Sequence, residues 1–526
     1  MFKKILFITA GFYLFVAGVK GQEKYVETWE SLDNRKTPQW FSDAKFGIFI
    51  HWGLYSAPSF STKGTYSEWY GHALDGDTST MNSKQLKRHY DVTAFHNANY
   101  GKDFEYRDFR ESFTCELFNS DEWAKLLKRS GTKYVVLTSK HHDGYCLWPN
   151  KEASMSFGTA WNTLESGPYR DLVGELSKSV REAGIKMGLY YSIWDWFNPY
   201  WTEEQQFILK SGNMIDDIAK VDNSVETNKQ KLKDAEEALN KYVHKVMYPQ
   251  FKELVLNYQP SLIFSDGDWW MDDDNWQTKP LLAWAFNNAP NKDELVINDR
   301  WGKVRGKHGG YFTTEYGSGF NDDSKPWEEN RGMGMSFGYN RNENIYDYRT
   351  SKELIFMLVD IVSRGGNLLL NIGPRADGII PVIMQERLLQ IGDWLEINGE
   401  AIFETRMWKE SAQWSTGQIP IFSKSDYHAG FPIYEMTIDP KPGNAVKEVW
   451  FTSKDKTLYA LTPEWPREDK LIIKDLEVDN VSKVSLLGYD GKLDWNYSKN
   501  NIEITLTDVP VHTIPVEHIF VFKIEY

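Results

Sequence analysis

From Trp40 to about Trp408, short apolar runs alternate with longer amphipathic stretches, the pattern of a parallel β/α array. Strands are predicted at residues 46–51, 134–138, 186–191, 262–266, 295–298, 311–315 and 367–372. Seven or eight such units over this length suit a (β/α)8 barrel better than an open sheet. Leu354, Met357, Leu358 and Ile361 fall on one stripe and predict a helix over 353–362. Residues 202–258 break the rhythm, being long, charged and of helical period, with Leu232, Ala235, Leu239, Tyr242 and Val246 on one face. They read as an excursion from the barrel, more simply a structural hairpin than a lid. From Lys409 the period shortens to two, as in Glu448-Val449-Trp450-Phe451, so 409–526 reads as a separate antiparallel β-sandwich.

The start of the chain follows another pattern: Lys3-Lys4, an apolar run from Ile5 to about Val19, then small residues near Gly21. Residues 1–21 read as a secretory signal, too short to span a bilayer comfortably, with the barrel occupying 22–408. The mature chain is therefore expected in a periplasmic or extracellular space, with no membrane attachment. Its two cysteines, Cys115 and Cys146, exclude a disulfide framework, so a large core must hold the fold. A net charge of −14 without any basic block argues against nucleic acid or an anionic membrane as partner. The 22 Trp and 28 Tyr change the picture more. Most such rings fill cores, but the C–H faces of a pyranose also stack on them while its hydroxyls take polar partners.

Three predicted strands run into aromatic and titratable residues: 46–50 into His51-Trp52-Gly53, 134–138 towards Lys140-His141-His142-Asp143-Gly144, and 261–265 into Asp266-Gly267-Asp268-Trp269-Trp270. Strand ends of this kind build a catalytic face in a barrel. Cleaving a glycosidic bond requires two carboxyl groups, one to attack or activate water and one to protonate the departing oxygen. Asp266 suits the first role, since it ends an apolar strand and a glycine keeps its approach open; Asp268, two residues on, is the rival. Glu315, between aromatics at the end of Tyr311-Phe312-Thr313-Thr314, suits the second, because burial among rings would keep it protonated. Its rivals are Glu328 and Glu329, read as loop residues, and Glu68 in Ser67-Glu68-Trp69-Tyr70.

His141 and His142, taken as neighbours on extended backbone, point to opposite sides and do not readily share one metal ion. No HxH or HExxH arrangement exists, so no metal is expected, and the histidines are read as donors and acceptors for sugar hydroxyls, one of the pair being a candidate structural residue. Arg300, in Asn298-Asp299-Arg300-Trp301, is either a turn residue or a partner for a hydroxyl or carboxylate.

Together these motifs resemble the retaining α-L-fucosidases of glycoside hydrolase family 29. The resemblance runs in the family's order through Phe49-Ile50-His51-Trp52-Gly53, Glu68-Trp69-Tyr70, Lys140-His141-His142-Asp143-Gly144 and Gly188-Leu189-Tyr190-Tyr191-Ser192. It continues through Asn298-Asp299-Arg300-Trp301-Gly302, Ser336-Phe337-Gly338-Tyr339-Asn340 and Gly365-Gly366-Asn367-Leu368-Leu369-Leu370-Asn371. It implies a barrel followed by a β-sandwich, double displacement on a fucosylated glycan, and no cofactor. By motif it implies Asp266 as nucleophile and Glu315 as acid/base, with a fucose pocket of His51, Glu68, Trp69, His141, His142, Tyr191, Arg300 and Phe337, the last under the sugar's methyl. Phe264 stands where many relatives carry tryptophan. Two other readings differ in class or sugar: an α-L-galactosidase of the same mechanism, which a polar group in place of Phe337 would favour, and an inactive glycan-binding protein.

Overall fold

Eight parallel strands form the first part of the molecule: β1 (Phe46–Ile50), β2 (Tyr134–Lys140), β3 (Lys186–Ser192), β4 (Leu262–Asp266), β5 (Val296–Ile297), β6 (Phe312–Glu315), β7 (Trp327–Gly332) and β8 (Asn367–Ile372). The computed structural model describes residues 24–76, 78, 81–201, 226–303, 305–317, 319–320, 325–420, 432–466, 468–478 and 480–526. The predicted signal, 1–21, and residues 202–225 of the predicted excursion lie outside them.

The strands are hydrogen-bonded in the order β5-β4-β3-β2-β1-β8-β7-β6. Where β6 returns to β5, Gly310 N–H donates to Ile297 O at 3.1 Å, and Thr313 N–H donates to Asp299 Oδ1 at 3.1 Å. Helices cover the outside, so the strands are buried on both faces and read as nearly continuous apolar runs.

Alternation divides each strand between two cores. Phe49, Tyr134, Val136, Tyr190, Phe264 and Leu369 fill the barrel interior with Phe41 and Tyr311. Their neighbours Ile48, Ile50, Val135, Leu137, Leu189, Tyr191, Ile263, Leu368 and Leu370 pack outward on the helices.

One strand escaped the sequence reading. Residues 327–332, taken as a loop, are β7, and all six are buried. The signal was hidden because the strand carries Glu328, Glu329, Asn330 and Arg331 where apolar residues are expected. Glu328 points inward and accepts from the Tyr134 hydroxyl at 2.5 Å, while Glu329 is paired with Arg331 at 3.0 Å. Burial pushes the Glu328 carboxyl up to about 8, so it stays neutral in the apolar interior.

The segment read as an excursion is described from Glu226 onward, where it is helical as far as Tyr258. Its second half, with Val243, Val246, Phe251 and Val255 fully buried, lies against the barrel between β3 and β4. No helix among the described residues is long and apolar enough to cross a membrane.

Beyond the barrel lie β9 (Arg406–Trp414), β10 (Lys447–Lys454), β11 (Thr457–Thr462), β12 (Lys470–Ile473), β13 (Lys483–Leu486), β14 (Asp494–Ser498), β15 (Asn501–Thr505) and β16 (Phe520–Glu525). They make an antiparallel five-stranded sheet, β13-β16-β11-β10-β9, and a three-stranded sheet, β12-β15-β14. Val449, Leu458, Leu471, Ile473, Ile502, Ile504 and Phe522 form a core of their own between the sheets.

Candidate active site

A cavity of about 360 Å³ opens at the C-terminal ends of the barrel strands. It is lined by Asp266, Glu315, His51, Glu68, Trp69, His141, His142, Arg300 and Phe337, together with Phe49, Tyr66, Tyr190, Phe264, Trp269, Arg305 and Asn330. Of the ten residues expected from the sequence, nine thus meet in one cavity.

Tyr191 is the exception. Alternation turns its side chain out of the barrel, where the hydroxyl lies 2.9 Å from Gln250 Oε1 and receives Lys140 Nζ at 3.3 Å. Tyr190 faces the cavity instead and donates to Asp266 Oδ2 at 3.0 Å. Gly188 carried the missing signal: a Cβ there would sit 3.0 Å from Val135 O, which marks the tight inward register that Tyr190 and Ser192 share.

Asp266 ends β4 on the inward register, opposite Ser192 of β3. Its Oδ1 accepts from Arg300 Nη1 at 2.8 Å. Burial alone would raise its pKa, but Arg300, His142 and Arg305 outweigh that and hold the carboxyl down at about 2. Glu315, at the end of β6, accepts from Arg300 Nη2 at 3.1 Å and from the Tyr66 hydroxyl at 3.2 Å. One guanidinium therefore grips both carboxylates, and its Nε is anchored on Thr313 Oγ1 at 3.0 Å. Arg300 is no turn residue: its ring-facing stack on Phe264, 4.8 Å from the centroid, completes the wall beside Asp266.

Three of the four rival carboxylates are engaged elsewhere, and the fourth, Glu68, lines the cavity itself. Asp268 is fully buried and held by Arg305 through Nε at 3.0 Å and Nη2 at 2.8 Å. Glu328 sits in the interior layer beneath the cavity, and Glu329 faces the outer helices.

The histidines have defined protonation through their outer contacts. Asn371 Nδ2 donates to Phe337 O at 2.6 Å, so its Oδ1, 2.6 Å from His51 Nδ1, must accept. His51 therefore carries its proton on Nδ1 and offers an Nε2 lone pair to the cavity. Ser192 Oγ donates to Trp194 O at 2.6 Å and accepts from His142 Nδ1 at 2.6 Å, which fixes the same tautomer in His142. Burial lowers the pKa to about 3 in His51 and about 4 in His142, so both are neutral at pH 7. The extended-backbone reading of the pair was wrong: β2 ends at Lys140, and the turn that follows brings both rings to the cavity with centroids 4.3 Å apart. Among the described residues no group of three or more His, Cys, Asp or Glu is arranged to hold a metal ion.

Glu68 accepts from Gly338 N–H at 2.8 Å, yet burial dominates and raises its pKa to about 7. Phe337 stacks on His51 at 4.8 Å and packs with Tyr66 and Tyr316 at 5.5 and 5.2 Å, making the most apolar corner of the cavity. Trp69 and Trp269 form a second aromatic wall, nearly parallel at 6.4 Å. The arrangement provides an ionised, fixed carboxylate, a second carboxyl on the same arginine, neutral imidazoles for hydroxyls and an apolar corner.

Comparison with known proteins agrees with this chemistry. The family model for alpha-L-fucosidase matches residues 13–400, and that for the alpha-L-fucosidase C-terminal domain matches 443–525. The alpha-L-fucosidase of Dictyostelium discoideum is 34% identical over 527 residues, covering 98% of either chain. The plasma alpha-L-fucosidase of Rattus norvegicus is 39% identical over 500 residues, 93% of this chain and 92% of that one. Among solved structures, Thermotoga maritima alpha-fucosidase in complex with fucose aligns with a TM-score of 0.70 at 32% identity, covering 95% of this chain and all of that one.

Proposed function

The chain belongs to the alpha-L-fucosidase family, and from that premise we propose that it releases α-L-fucose from the non-reducing ends of fucosylated glycans by double displacement at Asp266 and Glu315. The Asp266 carboxylate attacks the anomeric carbon while Glu315 gives its proton to the glycosidic oxygen, forming a β-fucosyl ester. Glu315 then takes a proton from water, which displaces Asp266 and releases fucose with its α configuration retained. The observation that carries this assignment is Arg300 bound to both carboxylates in one cavity. It keeps Asp266 ionised for attack and fixes the separation between the two groups.

The apolar corner made by Phe337, Tyr66 and Tyr316 supports a methyl at C6 over the hydroxyl of L-galactose. Two carboxyls converging in one cavity support turnover over mere binding. The apolar run near the N-terminus supports export of the chain, with action in the periplasm or outside the cell.

The test is hydrolysis of an aryl α-L-fucoside by the wild type and by Asp266→Gly, each with azide. Wild-type turnover, near-abolition in the variant and β-fucosyl azide as its rescued product are the expected results. Retention of most activity by Asp266→Gly overturns the nucleophile assignment.

A further inference from the structure

Two arginines lie over the tryptophans of the cavity wall, Arg305 on Trp269 and Arg88 on Trp69, each with its guanidinium carbon 5.5 Å from the ring centroid. Their circumstances differ. Arg305 is neutralised by a two-pronged contact with Asp268. Arg88 has no hydrogen-bond or ion-pair partner among the described residues, unlike Arg300, Arg331 and Arg364, which are all paired with carboxylates.

Arg88 is not a stray surface residue. It lies in the helix Ser83–Asn99, whose start is fixed by a capping box between Asn82 and Gln85. Four and eight residues further along, Val92 and His96 are buried, so Arg88 shares the inward face of that helix and is itself half-buried. Burial lowers its pKa, and Glu68 and Tyr66, both of which line the cavity, act in the opposite direction. Glu68 is a poor counter-ion, because it is committed to Gly338 N–H and its pKa near 7 leaves it only partly charged at neutrality and largely uncharged below it. A guanidinium drawn out of water without an acidic partner is unfavourable unless something brought to the site compensates it.

We propose that Arg88 recognises an anionic group, a sulfate or a carboxylate, carried by the fucosylated glycan beside the scissile bond. This rests on the fucosidase reading of the cavity and extends it to the class of glycan preferred. Guanidinium suits the role, since its planar fork binds such oxyanions in pairs of hydrogen bonds, and stacking on Trp69 fixes its orientation. Tyr66 links the two regions: its hydroxyl binds Glu315, the proposed proton donor to the leaving oxygen, and it is also one of the two residues that act electrostatically on Arg88. The anion can belong to the fucosyl residue or to the sugar it leaves, and the substrates below separate the two.

The experiment compares kcat/KM of three proteins, the wild type, Arg88→Gln and Arg88→Lys, on two pairs of substrates at low salt. Substrates are a neutral fucosyl disaccharide, the same disaccharide sulfated on the leaving sugar, and an aryl α-L-fucoside with and without sulfate on the fucose. The wild type is expected to favour one sulfated substrate over its neutral counterpart by about tenfold, the size of a charged hydrogen-bond pair. Arg88→Gln brings that ratio to about one, Arg88→Lys keeps part of it, and added salt erodes it in the wild type. Because the readout is a ratio within each protein, loss of Trp69 packing does not imitate the effect. A wild-type ratio at or below one for both sulfated substrates overturns the proposal, and does so even if Arg88→Gln fails to fold. So does an equal fall of neutral and sulfated rates in Arg88→Gln, which would reduce Arg88 to a support for Trp69. Failure to cleave the neutral substrates would instead sink the fucosidase reading.

Discussion

The Tyr190 hydroxyl donates to Asp266 Oδ2 at 3.0 Å, on the opposite side of the carboxylate from Arg300. Asp266 thus has one oxygen on a phenol and the other on a guanidinium, which leaves it little freedom to rotate away from the anomeric carbon. Tyr190→Phe removes one of these restraints without changing volume. A fall of about tenfold in kcat is expected, the worth of a hydrogen bond to a charged group. Tyr191→Phe, one residue on, removes contacts with Gln250 and Lys140 outside the barrel and should lower thermal stability while leaving kcat within about threefold. Steady-state kinetics of the two variants side by side decides whether the inward register carries the function.

Arg300 has a larger role because it serves both carboxylates. Arg300→Met leaves the Asp266 carboxylate buried without its main cation and frees Glu315 from the group that positions it, so kcat/KM should fall by more than about a hundredfold. The pH profile gives a sharper readout. Asp266 must be ionised to attack, and Arg300 is the leading influence holding its pKa near 2 against burial. Removing it lets the pKa rise, so the acid limb of the residual activity moves to higher pH. An unmoved limb would mean that a different group governs it.

Much of this site was legible in the sequence because it lies at strand ends, and strands betray themselves by apolar runs. Asp266 and His51 follow the last apolar residues of β4 and β1, so their positions could be counted. Glu328 and Glu329 could not, since β7 hides a carboxylate inside the barrel by pairing it with Tyr134, a contact between residues 194 positions apart. Tyr190 and Tyr191 were ambiguous for a different reason: two adjacent tyrosines satisfy either register, and only the neighbouring strand's close approach at Gly188 decides between them. Arg88 was invisible to both kinds of reading, because what sets it apart is the lack of a hydrogen-bond or ion-pair partner among the described residues.

Glu68 is buried with its pKa raised to about 7, which predicts a pH-dependent stability of defined sign. Below about pH 4 the group is protonated whether folded or unfolded and contributes no difference. As pH rises towards 7 the unfolded chain releases its proton while the folded protein holds on to it, so stability falls across that window by about 3 kcal/mol from this residue. Glu68→Gln should flatten the decline in denaturant midpoint between pH 5 and 8 relative to the wild type. It should also remove any limb near pH 7 from the kcat/KM profile. A decline of the same slope in the variant would assign it to other groups.

The barrel and the sandwich are joined by a buried charge cluster whose disruption should be felt in both. Asp360, in the helix Ser351–Ser363, accepts from Trp450 Nε1 at 3.0 Å and is paired with Lys447 of β10, while Arg364 holds its other oxygen with Nε at 2.9 Å. Burial opposes the charge on Asp360, but Lys447 and Arg364 prevail and keep its pKa near 2. Asp360→Ala leaves two buried cations facing one another across the junction, so a loss of about 3 to 5 kcal/mol in unfolding free energy is expected. The companion change Lys447→Met removes one of those cations, and the double variant should recover part of the loss, since an apolar replacement often matches a buried ion pair. Denaturant titration of the two single variants and the double variant gives the coupling directly. If the double variant is no more stable than Asp360→Ala, the penalty comes from Arg364 and Trp450 alone, and the junction is held by the barrel's own cation more than by the sandwich.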